Sequence, residues 1–223
     1  MKKIANYING KLIEPKSNSY INNYNPATGQ VYSLIPDSNE EDVKIAIESA
    51  KNAFPLWSKL KNSERSRWLE KISNGINDRQ DELALAESID NGKPLKLAKK
   101  VDIPRACENF KFYATAIQHF ASESHHNTDS MINFTLRKPV GVAACISPWN
   151  LPLYLFSWKI APALAAGNTV VAKPSEITPM TAYLLSEICH NIDLPAGVLN
   201  IVHGLGSNTG NSIISSDDID LVS

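Results

Sequence analysis

Three short stretches of this chain combine residue types that could bind a ligand or take part in a reaction. They read SPWNLP at 147–152, KPSEITP at 173–179 and HGLGSNTG at 203–210. Each follows an apolar run typical of a buried strand and precedes a segment with helical periodicity. Ligands of doubly wound sheets bind where strands lead into helices, so we expect all three loops on one edge of one sheet.

Asn150 in the first loop has two interpretations. Asn is a favoured helix N-cap and Pro152 suits a first helical turn, so by itself Asn150 is best interpreted as a cap. Alternatively, its amide N–H donates to a developing oxyanion in a preorganised site. Cys145 lies nearby on an apolar strand, and no cation close in sequence lowers its pKa, which favours core packing over a nucleophilic role.

The second loop places Lys173 three residues before Glu176 at the end of an apolar strand. An ammonium and a carboxylate at such a strand end could bracket a ribose, with the carboxylate accepting hydrogen bonds from vicinal hydroxyls. The alternative is a solvated pair, which contributes little stability. Taken alone, the pair favours the solvated interpretation.

The third loop carries Gly204, Gly206 and Gly210 between a predicted strand and a short helix. Glycines there let the backbone approach a diphosphate, which a helix N-terminus also favours. The spacing is one residue longer than the Rossmann fingerprint, and the sequence ends before an acidic residue ~20 positions on could follow. A plain turn is an equal alternative.

Composition narrows the class of protein. The 223 residues are 43% apolar with formal net charge −1, which excludes an electrostatic case for nucleic-acid binding. Three separated cysteines and no secretory signal predict a reducing, cytoplasmic compartment, without a disulfide framework or metal site. Val140–Trp158 is uncharged and long enough to span a bilayer, but its two prolines and Asn150 argue against that, so we expect no membrane partner.

The elements that position these loops follow from hydrophobic periodicity. A capping box of Ser38 and Glu41 begins the first helix, and Asn91-Gly92 ends the third. Further helices are predicted over 63–76, 78–90, 95–122 (with Pro104 in its first turns or kinking it), 151–166 and 179–192. A half-exposed strand is expected over 131–138, and strands apolar on both faces are expected in VGVAACI, NTVVAK, GVLNIV and IDLVS. Such strands alternating with helices predict an α/β fold with a parallel sheet covered on both faces.

Taken together and in order, the motifs resemble the NAD(P)-dependent aldehyde dehydrogenase superfamily. The resemblance rests on VGVAACISPWNLP, NTVVAKPSE and LPAGVLNIVHGLGSNTG, with YNPATGQVYSLIP and ESIDNGKP nearer the N-terminus, and extends from Tyr7 to Ser223. It implies a Rossmann-like fold with an arm and helices over 1–120, an oligomerisation segment over 121–139 and a cofactor-binding core over 140–223. For the full-length protein the resemblance implies a homodimer or homotetramer.

The resemblance also assigns roles to residues. Asn150 matches the side-chain donor of the oxyanion hole, and Ile146, Ser147, Pro148 and Trp149 match the strand end beside the nicotinamide riboside. Around the adenosine half it assigns Lys173, Pro174, Ser175, Glu176, Gly206 and Gly210, and along the substrate tunnel Leu151, Leu155 and Trp158. Because a carboxylate at Glu176 would repel a 2′-phosphate, NAD is favoured over NADP as cofactor.

The stretch DIPRACENFKFYA at 102–114 resembles the branch that acts on carboxylate-bearing semialdehydes such as 2-hydroxymuconic semialdehyde. Arg105 is then a candidate for the substrate carboxylate, which suits its bidentate fork. The alternative is a solvated or salt-bridged helix arginine.

Family chemistry oxidises an aldehyde to an acid through a Cys thiohemiacetal and thioester. The nucleophile and general base of the family match no position among residues 1–223, and Cys107, Cys145 and Cys189 do not align with the nucleophile. We therefore expect the N-terminal, cofactor-binding part of an enzyme acting on a small-molecule aldehyde, truncated and inactive by itself. A non-catalytic nucleotide-binding or interaction module and a non-functional remnant are the alternatives.

Overall fold

The computed structural model describes residues 1–128 and 131–223. Residues 129–130, inside the predicted oligomerisation segment, lie outside the described residues. The strands and helices are, in chain order, β1 (Lys2–Lys3), β2 (Asn6–Ile8), β3 (Lys11–Ile13), β4 (Tyr20–Asn25), β5 (Gln30–Pro36), α1 (Glu40–Trp57), α2 (Asn62–Asp78), α3 (Gln80–Asn91), α4 (Leu95–Leu97), α5 (Ile103–Gln118), β6 (Ser124–Thr128), β7 (Met131–Phe134), β8 (Val142–Ile146), α6 (Pro152–Ala165), β9 (Thr169–Lys173), α7 (Met180–Asn191), β10 (Leu199–Ile201), α8 (Asn211–Ile214) and β11 (Leu221–Val222).

The central sheet has six strands in the order β11-β8-β9-β10-β2-β3. Strands β11, β8, β9 and β10 are parallel, whereas β2 pairs antiparallel with β10 and with β3. Ile146 of β8 lies opposite Lys173 of β9, and Ala172 of β9 lies opposite Ile201 of β10. The carboxyl ends of β8, β9 and β10 therefore meet at one edge, which confirms the doubly wound parallel sheet predicted from the apolar runs.

Both faces of the sheet are buried. Val142, Ala144 and Val171 point to the face covered by α1, where they pack with Val43 and Ile47. The alternate residues of β8 and β9 join the larger core on the opposite face, which includes side chains of α2, α5, α6 and α7. A parallel strand buried on both sides explains why these segments lack polar alternation.

The predicted start of α1 needs correction. Asn39, not Ser38, caps α1: its side chain accepts from the N–H groups of Glu41 and Asp42, and the Asp42 carboxylate accepts from Asn39 N–H. Ser38 is buried instead, and its hydroxyl accepts a hydrogen bond from Asn6. The box was predicted one residue early because Ser and Asn are both good caps and only tertiary packing decides between them.

The helix predicted over 95–122 is interrupted. A π-helical turn over Ala98–Asp102 separates α4 from α5, and Pro104, which has no N–H to donate, lies in the first turn of α5. The helix ends at Gln118, and Asn91-Gly92 ends α3 as predicted, since Gly92 adopts φ +79°.

The strand predicted over 131–138 is shorter and more exposed than expected. β7 ends at Phe134 and pairs antiparallel with β6. All four of its residues are exposed, including Ile132 and Phe134, so its expected burial on one side is wrong for the isolated chain. In the described ranges, no helix is both long enough and apolar enough to cross a bilayer.

Candidate functional site

The first loop leaves β8 with its backbone tied to the neighbouring strand, because Ser147 N–H donates to the Lys173 carbonyl at 3.1 Å. Ser147 is buried and its hydroxyl has no partner within the described ranges. Pro148, Trp149 and Asn150 are exposed. The loop therefore presents three consecutive residues at the sheet edge.

Asn150 does not cap α6, so that interpretation is wrong. Leu151 occupies the N-cap position and makes no side-chain capping bond. Pro152 starts the helix, which moves the boundary one residue beyond the Asn. Within residues 1–128 and 131–223 the Asn150 amide makes no hydrogen bond, so both of its N–H donors are free for a ligand.

The backbone on either side of this amide is held from another element. Asn91 Nδ2 donates to the Trp149 carbonyl at 2.9 Å, and Thr178 Oγ1 donates to the same oxygen at 3.4 Å. Lys93 Nζ donates to the Asn150 carbonyl at 3.4 Å. These anchoring residues were missed as site residues. Asn91 and Lys93 belong to ESIDNGKP, which supported the resemblance and whose Asn91-Gly92 was predicted to end a helix.

The Lys173–Glu176 pair is a built ion pair, not a solvated one. The Lys173 side chain is 2% exposed, and its Nζ donates to the Pro174 carbonyl at 3.0 Å and to Glu176 Oε2 at 3.1 Å. Burial lowers the pKa of Lys173, and the Glu176 charge opposes that shift. A buried ammonium needs such partners, so the pair positions the carboxylate.

Glu176 is ionised at neutral pH. Burial alone would raise its pKa, but hydrogen bonds from its own backbone and from Gly206, with the Lys173 charge, lower it overall. Its side chain is 31% exposed. Beside it, Ser175 Oγ accepts from Ile177 N–H at 3.2 Å and closes the turn after Pro174.

The glycines of the third loop differ in the space around their Cβ positions. A Cβ at Gly204 (φ +147°) would collide with Thr209, whose hydroxyl donates to the Ser38 carbonyl at 2.7 Å. A Cβ at Gly206 would find no heavy atom within 4 Å, and one at Gly210 would touch Lys173 Cδ at 3.6 Å. Gly204 is thus required by packing, whereas Gly206 borders open space beside Glu176.

A cavity of about 860 Å³ brings the three loops together. Its wall includes Trp149 from the first loop, Glu176, Ile177 and Thr178 from the second and Leu205 from the third, with residues of β4 opposite. Glu176 of the ion pair and Leu205, between Gly204 and Gly206, therefore line a shared space large enough for part of a dinucleotide.

The residues assigned to the substrate lie on a different surface. Leu151 and Leu155 are half-buried on α6, and Trp158 is exposed and stacks on Tyr154 with ring centroids 5.3 Å apart. Arg105 of α5 donates to Tyr154 Oη at 3.4 Å and pairs with Glu108 at 3.3 Å. Arg105 is therefore partly salt-bridged, as its alternative interpretation expected, yet it lies beside the aromatic pair.

Cys145 and Cys189 are not accessible thiolates. Burial raises the pKa of Cys145 and of Cys189 to about 12. Cys107 is half-buried and hydrogen-bonds with Ser73. Among the residues that the structure describes, no cluster of His, Cys, Asp and Glu could hold a metal ion.

The sheet order and the three converging loops define a Rossmann-like α/β domain with a candidate ligand site at the carboxyl edge. The particular family follows from sequence comparison. The sequence model of the aldehyde dehydrogenase family matches residues 12–223, and the chain belongs to that family.

Curated relatives point the same way. The chain is 45% identical over 221 residues to the 2-aminomuconic semialdehyde dehydrogenase of Bos taurus. The match covers 99% of this chain and 45% of the relative. It is 40% identical over 223 residues to the 5-carboxymethyl-2-hydroxymuconate semialdehyde dehydrogenase of Escherichia coli, covering 100% and 47%. The chain thus spans less than half the length of these relatives.

Solved structures share the whole fold. The NAD⁺ complex of an aldehyde dehydrogenase from Bacillus cereus matches with a TM-score of 0.96 at 34% identity, covering 99% of this chain and 45% of that one. PnpE from Pseudomonas sp. WBC-3, in complex with nicotinamide adenine dinucleotide, matches with a TM-score of 0.95 at 35% identity, covering 100% and 45%. The resemblance to this superfamily and to its muconic-semialdehyde members is confirmed.

Proposed function

We propose that this chain supplies the cofactor half of an NAD-dependent aldehyde dehydrogenase, with the cofactor bound where β8, β9 and β10 end. The observation that carries the proposal is the buried Lys173, which holds the Glu176 carboxylate at the rim of the cavity that Trp149 and Leu205 also line. Burying the ammonium is costly, and the partly exposed carboxylate that it holds supports a role in binding a ligand.

The adenosine half is assigned to the second and third loops. The ionised Glu176 accepts hydrogen bonds from the ribose hydroxyls, and Lys173, Pro174 and Ser175 fix it in place. Gly206 and Gly210 leave room for the adenine and diphosphate, because a side chain at Gly206 would occupy that space. A 2′-phosphate would meet the Glu176 charge, which favours NAD over NADP.

The reactive half is assigned to the first loop. The wall beside the nicotinamide riboside is formed by Ile146, Ser147, Pro148 and Trp149. The amide of Asn150 donates to the oxyanion that develops on the aldehyde oxygen. Bound NAD supplies the hydride acceptor. We expect residues 1–223 alone to bind NAD without oxidising aldehydes, because Cys145 and Cys189 are buried with raised thiol pKa.

Three parts follow from this assignment. Residues 1–120 form the arm and packing helices, 121–139 the oligomerisation segment and 140–223 the cofactor core. Met131, Ile132 and Phe134 expose apolar side chains on β7, which suits pairing with a second copy in a homodimer or homotetramer. The molecular mass in solution of the wild-type chain and of an Ile132→Lys/Phe134→Lys variant tests this pairing. Assembly of the wild-type chain that the variant loses would support it, and a monomeric wild-type chain would contradict it for this chain.

Isothermal titration tests the cofactor proposal directly. The wild-type chain is expected to bind NAD, and Glu176→Gln is expected to lose much of its preference over NADP. Failure of a folded wild-type chain to bind either nucleotide would overturn the assignment.

The proposed substrate is a small-molecule aldehyde bearing a carboxylate. The exposed guanidinium of Arg105 on α5 lies beside the stacked rings of Tyr154 and Trp158. Those rings belong to α6, whose start carries Leu151 and Leu155. The relatives above are named for muconic semialdehydes. Arg105 would then bind the carboxylate through its planar fork.

A chimaera tests this substrate class, with residues 1–223 replacing the matching segment of the Escherichia coli relative. In it, Arg105→Ala is expected to raise KM for a carboxylated aldehyde about tenfold, since a charged hydrogen bond is lost, with little change for a neutral aldehyde. Arg67→Ala, an exposed arginine on α2, is the control. An unchanged preference for acidic aldehydes would refute the role of Arg105.

A further inference from the structure

Lys93 is a buried cation outside the ligand site. Its side chain is 8% exposed, and Nζ lies 3.2 Å from Glu87 Oε1 and 2.9 Å from Asp102 Oδ2. Both carboxylates are buried. Burying three ionisable groups is costly, so the cluster calls for an explanation beyond stability.

This cluster contacts the backbone of the first loop. Lys93 Nζ donates to the Asn150 carbonyl at 3.4 Å, and Glu87 Oε2 accepts from Leu153 N–H at 3.4 Å. Asn91, two residues before Lys93, donates to the Trp149 carbonyl at 2.9 Å. One segment therefore holds the chain immediately before, at and after Asn150, whose own amide is left unpaired.

The turn between α3 and Lys93 is fixed by its own hydrogen bonds. Gly92 ends α3 in the left-handed region and its N–H donates to the Ser88 carbonyl at 2.9 Å. Ser88 Oγ then donates to the Lys93 carbonyl at 2.7 Å. Asn91 and Lys93 are thereby presented to the loop from a rigid helix end.

We propose that Lys93, held by Glu87 and Asp102, is a positioning residue that fixes the backbone at Asn150. Leu151, at the N-cap of α6, makes no side-chain capping bond, so the contacts from Glu87, Asn91 and Lys93 hold the backbone at this boundary. Which ligand atom the Asn150 amide contacts rests on the proposed function. The effect of Lys93 on the backbone at Asn150, the clamp, does not. Loss of the ammonium frees the Asn150 carbonyl and lets the amide leave the sheet edge.

Hydrogen exchange of the whole chain tests the clamp without any ligand. Lys93→Met is expected to speed exchange about tenfold or more at 149–155, because a charged hydrogen bond is lost, and to leave 173–178 unchanged. Lys93→Arg is expected to restore part of the protection, and Lys96→Met, an exposed lysine on α4, to match wild type. Unchanged exchange at 149–155, or an equal rise throughout, would overturn the proposal.

If Lys93→Met does not fold, a triple variant removes the uncompensated charges. Glu87→Gln/Lys93→Met/Asp102→Asn has no buried charge in the cluster but still lacks the ammonium on Asn150. It is expected to show the same local rise in exchange. Wild-type protection at 149–155 in this variant would overturn the role of Lys93.

Affinity for NAD and for ADP-ribose separates positioning from general stability. Lys93→Met is expected to weaken NAD about tenfold and leave ADP-ribose unchanged, because only NAD extends to the first loop. An equal loss for both ligands would contradict positioning. If wild type binds neither ligand, the proposed function fails, while the exchange experiment still decides whether Lys93 clamps the loop.

Discussion

The ammonium of Lys173 lies 3.1 Å from Glu176 Oε2, and the two side chains differ sharply in exposure. The lysine is buried at the end of β9, whereas the carboxylate is partly open to the cavity that Trp149 lines. Burial of only one partner fixes the carboxylate and leaves it accessible. The pair is therefore suited to hold a ligand hydroxyl rather than to stabilise a surface turn.

Replacing Glu176 should change which dinucleotide the chain prefers. In Glu176→Gln the repulsion toward a 2′-phosphate disappears, so the NAD-to-NADP affinity ratio is expected to fall about tenfold or more, an effect of one charge at close range. Titration calorimetry with both nucleotides measures it. Glu48→Gln, an exposed glutamate on α1, is the control and should keep the wild-type ratio. An unchanged ratio in Glu176→Gln would remove the carboxylate from the ribose site.

A methyl group at Gly206 should weaken binding without weakening the fold. Its Cβ would meet no protein atom within 4 Å, so Gly206→Ala is expected to change the free energy of unfolding by less than about 0.5 kcal/mol. The same methyl would enter the space assigned to the cofactor and lower NAD affinity. Urea unfolding and NAD titration on one preparation test both halves. Unchanged NAD affinity would place the cofactor away from this glycine.

The turn at Gly92 should be intolerant of a side chain. Gly92 adopts φ +79°, and a Cβ there would lie 3.0 Å from Pro26 Cγ, so Gly92→Ala is expected to destabilise by about 1–3 kcal/mol. Gly29 has a similar φ of +69° with no atom within 4 Å of its Cβ position. Gly29→Ala should therefore cost less than Gly92→Ala in urea unfolding. Equal losses would mean that backbone strain alone, without the Pro26 contact, sets the cost.

His203 should make the fold sensitive to acid. The ring is buried, and neither nitrogen has a hydrogen-bond partner within the described ranges. Burial, assisted by the Lys173 charge, lowers the pKa of His203 to about 3. In the unfolded chain the imidazole binds a proton below about pH 6.5. Between these values the unfolded state binds the extra proton, so stability falls as the pH falls, by up to about 1.4 kcal/mol per pH unit.

His203→Leu is expected to remove this component of the acid dependence. Burial raises the pKa of Glu87 to about 7 and of Asp90 to about 6, and these groups favour the folded state at lower pH, so only the difference between variant and wild type is diagnostic. Urea unfolding at several pH values between 4 and 7 supplies that difference. His119→Leu, an exposed histidine after α5, serves for comparison. A wild-type slope in His203→Leu would show that the ring is not excluded from protons.

Local sequence was sufficient for the strands and helices that build the sheet edge. Runs such as NTVVAK are apolar on both faces only because helices cover both sides, and that pattern predicted β8, β9 and β10 and the loops after them. The cap at Asn150 was wrong because Pro152, which sets the first turn, moves the N-cap to Leu151. Propensity favours Asn over Leu as an N-cap and so selected Asn150, whereas the structure places Leu151 there without a side-chain capping bond.

Contacts between residues far apart in sequence could not be predicted from local sequence patterns. The burial of Lys173 arises from packing against the third loop, so KPSE alone suggested a solvated pair. Lys93 and Asn150 are far apart in sequence, and only the packing of α3 against the start of α6 brings them together. Likewise, β2 of the arm joins the sheet beside β10, which periodicity near the N-terminus did not indicate.

Hydrogen exchange of the wild-type chain with saturating NAD tests the central claim most directly. The account predicts slower exchange at 146–151, 173–178 and 204–210 together, because one dinucleotide spans all three loops. Protection at none of these segments would contradict the assignment of the cofactor to this edge. Protection confined to another surface, such as the groove lined by Lys44 of α1 and Asn211 of α8, would contradict it as well.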